Sequence, residues 1–300
     1  METTKYIWMD GENVPWDEAQ ISVMTHALHY GTAVFEGIRC YDTDKGPMIF
    51  KLKEHVDRFF FSAETLSMEM PFSKAEITEA ILNLIKDNKL SSCYIRPLAY
   101  YGYKRLGPPP TGVPTKVMIA TIPYDPYLGD KSARVKISSY MRIHPNSSVM
   151  GAKISGHYAN SALAVMEAHQ AGFDESLLLD DKGNIAEAGA ANFFIIKGDT
   201  LVTPTDRAIL PGITRASLMQ LAEEKMGMTV EERDISPDEL SDCDEAFFCG
   251  TATEVAAIGE VDDLKIKNPD APKALELKAL YKRVVTGQEP DYLDWLTAVQ

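Results

Sequence analysis

The chain is short of cysteine and short of basic charge. Its four cysteines, Cys40, Cys93, Cys243 and Cys249, contain no C-x-x-C pair and no zinc-like spacing with histidine. A disulfide scaffold is thereby excluded as the organising device, and no metal site is expected. Cys40, Cys93 and Cys249 lie in apolar, strand-like runs, which reads as buried thiols in a reducing compartment. Lys and Arg total 30 against 44 Asp and Glu, a net charge of -14, which disfavours nucleic acid and anionic membrane as partners. An anionic small ligand is still compatible, because a few arginines gathered in one place override the global sign locally. No run approaches the about 20 apolar residues that a membrane-spanning helix requires, and Met1-Glu2-Thr3-Thr4-Lys5 has no apolar signal core. A cytoplasmic location is expected. Internal repeats, a P-loop and a G-x-G-x-x-G run are all missing, so nothing supports a Walker or Rossmann nucleotide site.

What is present is an ordinary globular composition, 45% hydrophobic and 25% charged, and 300 residues suffice for one large or two medium domains. The Pro- and Gly-containing stretch from Pro123 to Asp130 has linker composition. It divides the chain into a domain over 1–122, an interdomain loop over 123–132 and a domain over 133–300. Residues 6–41 read as strands and turns, with a hairpin signal at Asp10-Gly11-Glu12-Asn13. Helical spacing predicts helices over Lys53–Met68, Ser73–Asn88, His157–Gln170, from the Leu210 to Arg215 stretch to about Met226, and over Pro272–Thr286. Ser73 with Glu76, and Ser236 with Glu239, have capping-box spacing. Strands are expected over Cys93–Tyr101, Lys116–Ile122, Ala133–Ser139, Ser176–Leu179, up to Ile196, and over Asp244–Cys249.

The stretch Met150-Gly151-Ala152-Lys153-Ile154-Ser155-Gly156-His157-Tyr158 sets one lysine among small residues. Glycine lets a planar ligand come close to the backbone, and an amine taken out of water keeps the lone pair that an imine linkage needs. Lys153 is therefore a candidate to carry an aldehyde cofactor; a surface lysine beside a helix start is the plainer alternative. Arg39 lies in a strand-like run and needs an anionic ligand or a neighbour such as Glu36 or Asp42. Arg58 sits off the apolar stripe of its helix, which by itself favours a solvated face. Tyr94 and Arg96 share one strand face, where they would bind a carboxylate or join a cross-strand ion pair. Glu187, followed by Ala188-Gly189-Ala190-Ala191, reaches a flat ligand without steric cost or is simply a turn carboxylate. The helix start after Leu210-Pro211-Gly212 offers amides and a positive dipole end to a phosphate, and Gly250-Thr251-Ala252-Thr253-Glu254 is small enough for its amides to contact an anion.

Taken together, Glu187-x-Gly189-x-x-Asn192-Phe193-Phe194, Leu201-x-Thr203 and Leu210-x-Gly212-Ile213-x-Arg215 resemble the extended signature of class IV pyridoxal-phosphate aminotransferases. His29-Tyr30-Gly31-Thr32-Ala33-Val34-Phe35-Glu36-Gly37-Ile38-Arg39, together with Gly250-Thr251-Ala252, resembles the branched-chain amino acid aminotransferase subgroup. The resemblance runs in matching order along nearly the whole chain. It implies an α/β protein of fold type IV, with a small N-terminal α/β domain, a larger C-terminal domain whose sheet curls into a barrel, and pyridoxal 5'-phosphate bound between them. It also implies a homodimer or higher homo-oligomer in which a neighbouring subunit completes each site.

By resemblance, Lys153 is the lysine that takes the cofactor aldehyde and moves the substrate proton. Arg58, Ile213, Thr214 and Thr251 would hold the phosphate, Glu187 the pyridine nitrogen, Tyr158 the phenolic oxygen, and Leu210 the ring face. Tyr30, Phe35, Gly37, Arg39, Tyr94, Arg96, Tyr127, Thr251 and Ala252 would line the substrate side. The implied reaction passes the amino group of L-leucine, L-isoleucine or L-valine to 2-oxoglutarate. An aliphatic pocket that also accepts glutamate needs cations or hydroxyls at its rim, because an unpaired buried charge is costly; Arg39, Arg96, Tyr30 and Tyr127 are the expected rim. The chain departs from many bacterial relatives in having Ala191 in place of a second Glu, and Ser155-Gly156-His157-Tyr158 in place of Gly-Gly-Asn-Tyr. The competing readings are D-amino acid aminotransferase and aminodeoxychorismate lyase within the class, and a non-catalytic cofactor-binding or metabolite-binding protein outside it.

Overall fold

In the computed structural model, which describes residues 3–123 and 131–299, the chain forms two units. One holds Met1–Asp125, Ala152–His157 and Arg283–Gln300; the other holds Pro126–Gly151 and Tyr158–Lys282. The short segment bearing Lys153 thus belongs with the N-terminal part of the chain, a placement that composition does not reveal. Tyr127 and most of the 123–132 stretch lie outside the described residues.

The first unit is built on one sheet. Strands β1 (Tyr6–Met9) and β2 (Glu12–Pro15) form the expected hairpin, its turn supplied by Asp10 at φ 48 and Gly11 at φ 108. β3 (Ala33–Phe35), β4 (Ile38–Tyr41), β5 (Met48–Phe50), β6 (Cys93–Tyr101) and β7 (Thr115–Ile122) follow. The order across the sheet is Leu296–Ala298, β5, β4, β6, β7, β1, β2, with β3 also on β6. Residues 6–41 are not only strands and turns, because His26–Tyr30 forms a helical turn, α1, closed by Gly31 in the left-handed region at φ 66. Five residues are too few to display a helical period. Two longer helices, α2 (Leu52–Thr65) and α3 (Lys74–Asp87), pack on the sheet and on each other. Ser73 caps α3 with the predicted box, its N–H donating to Glu76 Oε2 at 2.7 Å. Val56 and Phe59 of α2, Ile77, Ile81 and Leu84 of α3, and Ile38, Ile95 and Val117 of the sheet form one core. Each such side chain contributes about 1.5–3 kcal/mol by leaving water.

The glycines around Lys153 serve the backbone. Gly156 N donates to Gly31 O at 3.1 Å, and a Cβ on Gly31 would lie 2.8 Å from Gly156 Cα. Val34 bridges to Ile154, and Phe35 N donates to Lys153 O at 3.1 Å, so the segment is laid along β3.

The second unit is a curled sheet. Its strands are β8 (Ala133–Ile137), β9 (Glu175–Leu179), β10 (Ile185–Ala188), β11 (Asn192–Lys197), β12 (Thr200–Thr203), β13 (Thr229–Glu232), β14 (Glu245–Gly250), β15 (Glu254–Val261) and β16 (Leu264–Lys265). The order β10-β9-β8-β15-β14-β11 closes on itself because β11 also pairs with β10, giving a ring without a free edge. Val135, Leu177, Phe193, Ile195, Phe248 and Ile258 pack together on alternate positions of the ring, as a period of two requires. Helix α4 (Tyr158–Gln170) lies on β8 and β9, and α5 (Ile213–Met226) lies on β13 and β14; α6 is Pro272–Val285. Glu187 is not a turn carboxylate. It stands within β10 opposite Asn192, and the turn itself is Gly189–Ala191.

Candidate active site

In the first unit, helix α2 aligns His55, Arg58 and Ser62, which recur at i, i+3 and i+7 and so share one face. Opposite them lies Glu36, at the break between β3 and β4, with no exposed surface. Its carboxylate accepts from Arg58 Nε at 2.6 Å, Arg58 Nη2 at 3.0 Å, His55 Nδ1 at 2.7 Å and Gly37 N at 3.2 Å. Arg58 therefore does not sit on a solvated helix face: its side chain is 13% exposed and is held by a buried anion. Burial alone would raise the Glu36 pKa; the charges of Arg58 and His55 and their hydrogen bonds reverse this and hold it far below the usual carboxylate range. Burial lowers the His55 pKa, against the opposing pull of Glu36.

Ser62 ties the same helix to the lysine segment. Its Oγ donates to Arg58 O at 2.8 Å and accepts from Lys153 N at 2.9 Å. Lys153 Nζ stands 4.9 Å from the centroid of Phe35, and the Arg96 guanidinium stands 4.7 Å from that same ring. Arg96 Nη2 donates to the Tyr94 hydroxyl at 3.0 Å, and Arg96 Nε is buried without a hydrogen bond. Arg39 is 5% exposed, lies opposite Tyr94 in the β4–β6 register, and has its guanidinium 4.9 Å from the Tyr41 ring. The Glu36 carboxylate expected nearby as its ion-pair partner is instead engaged by Arg58 and His55. A Cβ on Gly37 would coincide with the Tyr94 hydroxyl, so this position needs glycine for space. The structure thus brings Phe35, Gly37, Tyr94, Arg96 and Lys153 together. Tyr30 is 40% exposed at the end of α1, and its hydroxyl accepts from Gly107 N at 3.0 Å.

In the second unit the centre is Glu187. Oε1 accepts from Arg142 Nε at 2.7 Å, Oε2 from Asn192 Nδ2 at 3.2 Å, and the Leu210 amide reaches both oxygens at 3.3 and 3.2 Å. Asn192 Nδ2 also donates to Leu210 O at 2.9 Å, locking Leu210 beside the carboxylate. Helix α5 begins at Gly212 without a side-chain cap, so Ile213 and Thr214 stand in its first turn at the positive end of the dipole. A Cβ on Gly212 would meet Asn192 Oδ1. Arg215 is turned elsewhere, donating to Thr203 Oγ1, Pro204 O and Glu232 Oε2. Thr251 and Ala252 are half-buried in the turn joining β14 to β15, and half-buried Tyr158 opens α4.

Sequence reasoning missed Glu36 as the anchor of Arg58, and missed His55, Ser62 and Arg142 altogether. The spacing of His55, Arg58 and Ser62 was a usable signal, since three polar residues on one helix face need a polar partner. Arg142 follows an unpatterned stretch and gave none. Among the described residues, no group of three or more His, Cys, Asp and Glu side chains is placed to hold a metal ion, and no helix is long and apolar enough to cross a membrane. All four cysteines are buried and free. The first unit thus gathers an amine and guanidiniums, a set suited to anionic groups, and the second offers an uncapped helix start and a carboxylate fixed as an acceptor.

The chain belongs to the family described as amino-transferase class IV, whose model matches residues 33–261. It is 42% identical over 299 residues to the branched-chain-amino-acid aminotransferase of Pseudomonas aeruginosa, an alignment covering 98% of this chain and 97% of that one. It is 39% identical over 307 residues to the branched-chain-amino-acid aminotransferase of Escherichia coli strain K12, covering 99% of each. Among solved structures, a T.th. branched-chain amino acid aminotransferase complexed with N-(5'-phosphopyridoxyl)-L-glutamate matches with a TM-score of 0.96 at 45% identity over 99% of both chains. The same T.th. enzyme with pyridoxamine 5'-phosphate matches with a TM-score of 0.96 at 44% identity over 100% of both. The mixed α/β architecture is that of fold type IV, as the sequence resemblance implied.

Proposed function

We propose that the chain is a pyridoxal-phosphate-dependent branched-chain amino acid aminotransferase that moves the amino group of L-leucine, L-isoleucine or L-valine to 2-oxoglutarate, giving L-glutamate. The observation that carries this reading is the approach of Lys153 Nζ and the Arg96 guanidinium to one ring, Phe35, at 4.9 and 4.7 Å. It sets the amine that would do the chemistry and a carboxylate-binding cation against one aromatic wall.

The residues present fit the cofactor. Arg58, fixed in place by Glu36, would bind the phosphate, a role this reading also gives to Ile213 and Thr214 at the uncapped start of α5 and to Thr251. Glu187, held by Arg142, Asn192 and the Leu210 amide, would accept from a protonated ring nitrogen. Leu210 would supply apolar contact to the ring face, and Tyr158 would supply a hydroxyl for the phenolic oxygen. When bound, pyridoxal phosphate supplies an electron sink for charge developing at the substrate α-carbon. Lys153 takes and returns the α-proton. Arg58 and the helix start orient and do not react.

Tyr30, Phe35, Gly37, Arg39, Tyr94, Arg96, Tyr127, Thr251 and Ala252 form the substrate side of this reading. Leu28 on α1 and Leu106 beside Gly107 expose apolar surface, and we assign them to contact with a second copy of the chain in a cytoplasmic homodimer or higher oligomer. Exposed apolar surface of this kind favours association.

The test is an absorbance and donor panel on the purified protein. A yellow protein bleached by L-leucine and recoloured by 2-oxoglutarate supports the reading. Bleaching only by a D-amino donor would place it with D-amino acid aminotransferase instead, and a protein that stays colourless with added pyridoxal phosphate would overturn it. Arg96→Ala is expected to lower kcat/KM for L-glutamate roughly tenfold more than for L-leucine, the loss of one charged hydrogen bond. Equal damage to both donors would remove Arg96 from the acidic subsite.

A further inference from the structure

We propose that His26 is a positioning residue for the side-chain end of the substrate pocket, acting through Gly107 on the hydroxyl of Tyr30. This rests on the reading above that Tyr30 faces substrate. His26 has no exposed surface. Its Nε2 lies 2.8 Å from Gly107 O, and its Nδ1 lies 2.7 Å from Thr32 Oγ1. A carbonyl only accepts, so Nε2 carries the hydrogen. In the neutral ring, Nδ1 then accepts from the Thr32 hydroxyl. The tautomer is thereby set by its two partners.

The same ring lies against Tyr30, centroids 4.5 Å apart at 40°. Tyr30 in turn accepts from Gly107 N at 3.0 Å. Both polar groups of the Gly107 peptide backbone are therefore captured, the carbonyl by His26 and the amide by Tyr30, and the two capturing rings are packed on each other. Gly107 has φ 117, in the region that glycine reaches without strain. The consequence falls on Tyr30. With one lone pair of its oxygen committed to Gly107, the direction in which its own O–H donates is restricted. A directed phenolic donor discriminates between substrates: it binds the side-chain carboxylate of glutamate and does nothing for the side chain of leucine. A leucine at position 26 would fill the buried volume without the polar cost of an imidazole. The histidine is what holds the Gly107 carbonyl, and through it the loop against which Tyr30 is registered.

The experiment compares steady-state kinetics of the holoenzyme with L-glutamate and L-leucine as donors in His26→Leu, His26→Gln, Tyr30→Phe and Gly107→Ala, with thermal denaturation of each. His26→Leu is expected to raise KM for glutamate roughly tenfold relative to leucine, as for one lost charged hydrogen bond, with kcat for both donors little changed. His26→Gln is expected to recover part of the loss, because its amide nitrogen can still donate to Gly107 O. Tyr30→Phe is expected to show the same donor split. If Tyr30→Phe shows the split and the His26 variants weaken both donors alike, or neither, the His26 inference is overturned while the Tyr30 assignment stands. A Tyr30→Phe enzyme without any split overturns the Tyr30 assignment and the inference with it. Should His26→Leu fail to fold, Gly107→Ala moves the same turn from a half-buried position; the donor split is again expected, and its absence overturns the proposal.

Discussion

Lys153→Ala is expected to give a folded protein that does not turn over L-leucine. The segment is held by backbone atoms: Lys153 N donates to Ser62 Oγ, and Lys153 O accepts from Phe35 N. Removing the side chain leaves both hydrogen bonds and the Gly31–Gly156 approach intact, so the denaturation midpoint should stay close to that of the parent. The chemistry should not survive, because the amine beside Phe35 is the group assigned to move the α-proton. Loss of a positioned general base costs about 10²–10⁴-fold, and the deficit in kcat is expected at the upper end. Borohydride treatment followed by intact mass measurement should show a cofactor adduct on the parent and none on the variant. Turnover within about tenfold of the parent, short of that range, would move the proton-transfer role to another residue.

Glu36→Gln is the second large effect, and it acts on stability as well as on function. The carboxylate has no exposed surface and is shared by Arg58 and His55. Removing one member of a buried pair strands the other, at a cost of about 3–5 kcal/mol. Chemical denaturation of the apoprotein should read that loss. The variant should also bind pyridoxal phosphate more weakly, because Arg58 is no longer held in its fork, and reconstitution titrations would show it. Arg58→Ala is the matching control: unchanged cofactor affinity there would remove Arg58 from the phosphate site, whatever Glu36 does.

The pH dependence has a definite sign. The folded-state pKa of Glu36 lies far below that of an unfolded glutamate, since Arg58 and His55 outweigh the burial that opposes them. Its contribution is therefore fully present above the unfolded carboxylate range and is lost as pH falls toward the folded value. His55, whose pKa burial lowers, acts in the same direction, because the unfolded imidazole takes up a proton first as pH falls. The acid limb of the parent's stability curve should be steep, and that of Glu36→Gln shallower. Parallel acid limbs in the two proteins would contradict the assignment.

The local code of the chain was largely legible. Turn residues placed the β1–β2 hairpin, periodicity placed α2 and α3, and the Ser73–Glu76 spacing gave a cap that the structure contains. These features depend on neighbours within a few residues, so the sequence itself holds the information. The helical turn His26–Tyr30 escaped because it is shorter than the period that would reveal it. The strand position of Glu187 escaped because Ala188-Gly189-Ala190-Ala191 reads as turn composition from end to end, and only the pairing with Asn192 shows where the strand stops.

The site divided along the same line. Single segments left Lys153, Glu187 and the Leu210–Arg215 helix start open to plainer readings and favoured a solvated Arg58; the resemblance to a known family, carried by many residues in matching order, is what put them forward together. The partners that fix those groups come from far along the chain: Glu36 reaches Arg58, Ser62 reaches Lys153, Arg142 reaches Glu187, and His26 reaches Gly107. The sequence by itself determined which functional groups the protein carries and which local elements bear them. Only the tertiary structure decided which charge faces which. A buried ion pair or a captured carbonyl is specified by distance in space, and chain closure across tens of residues leaves no periodic trace in the sequence from which that distance can be read.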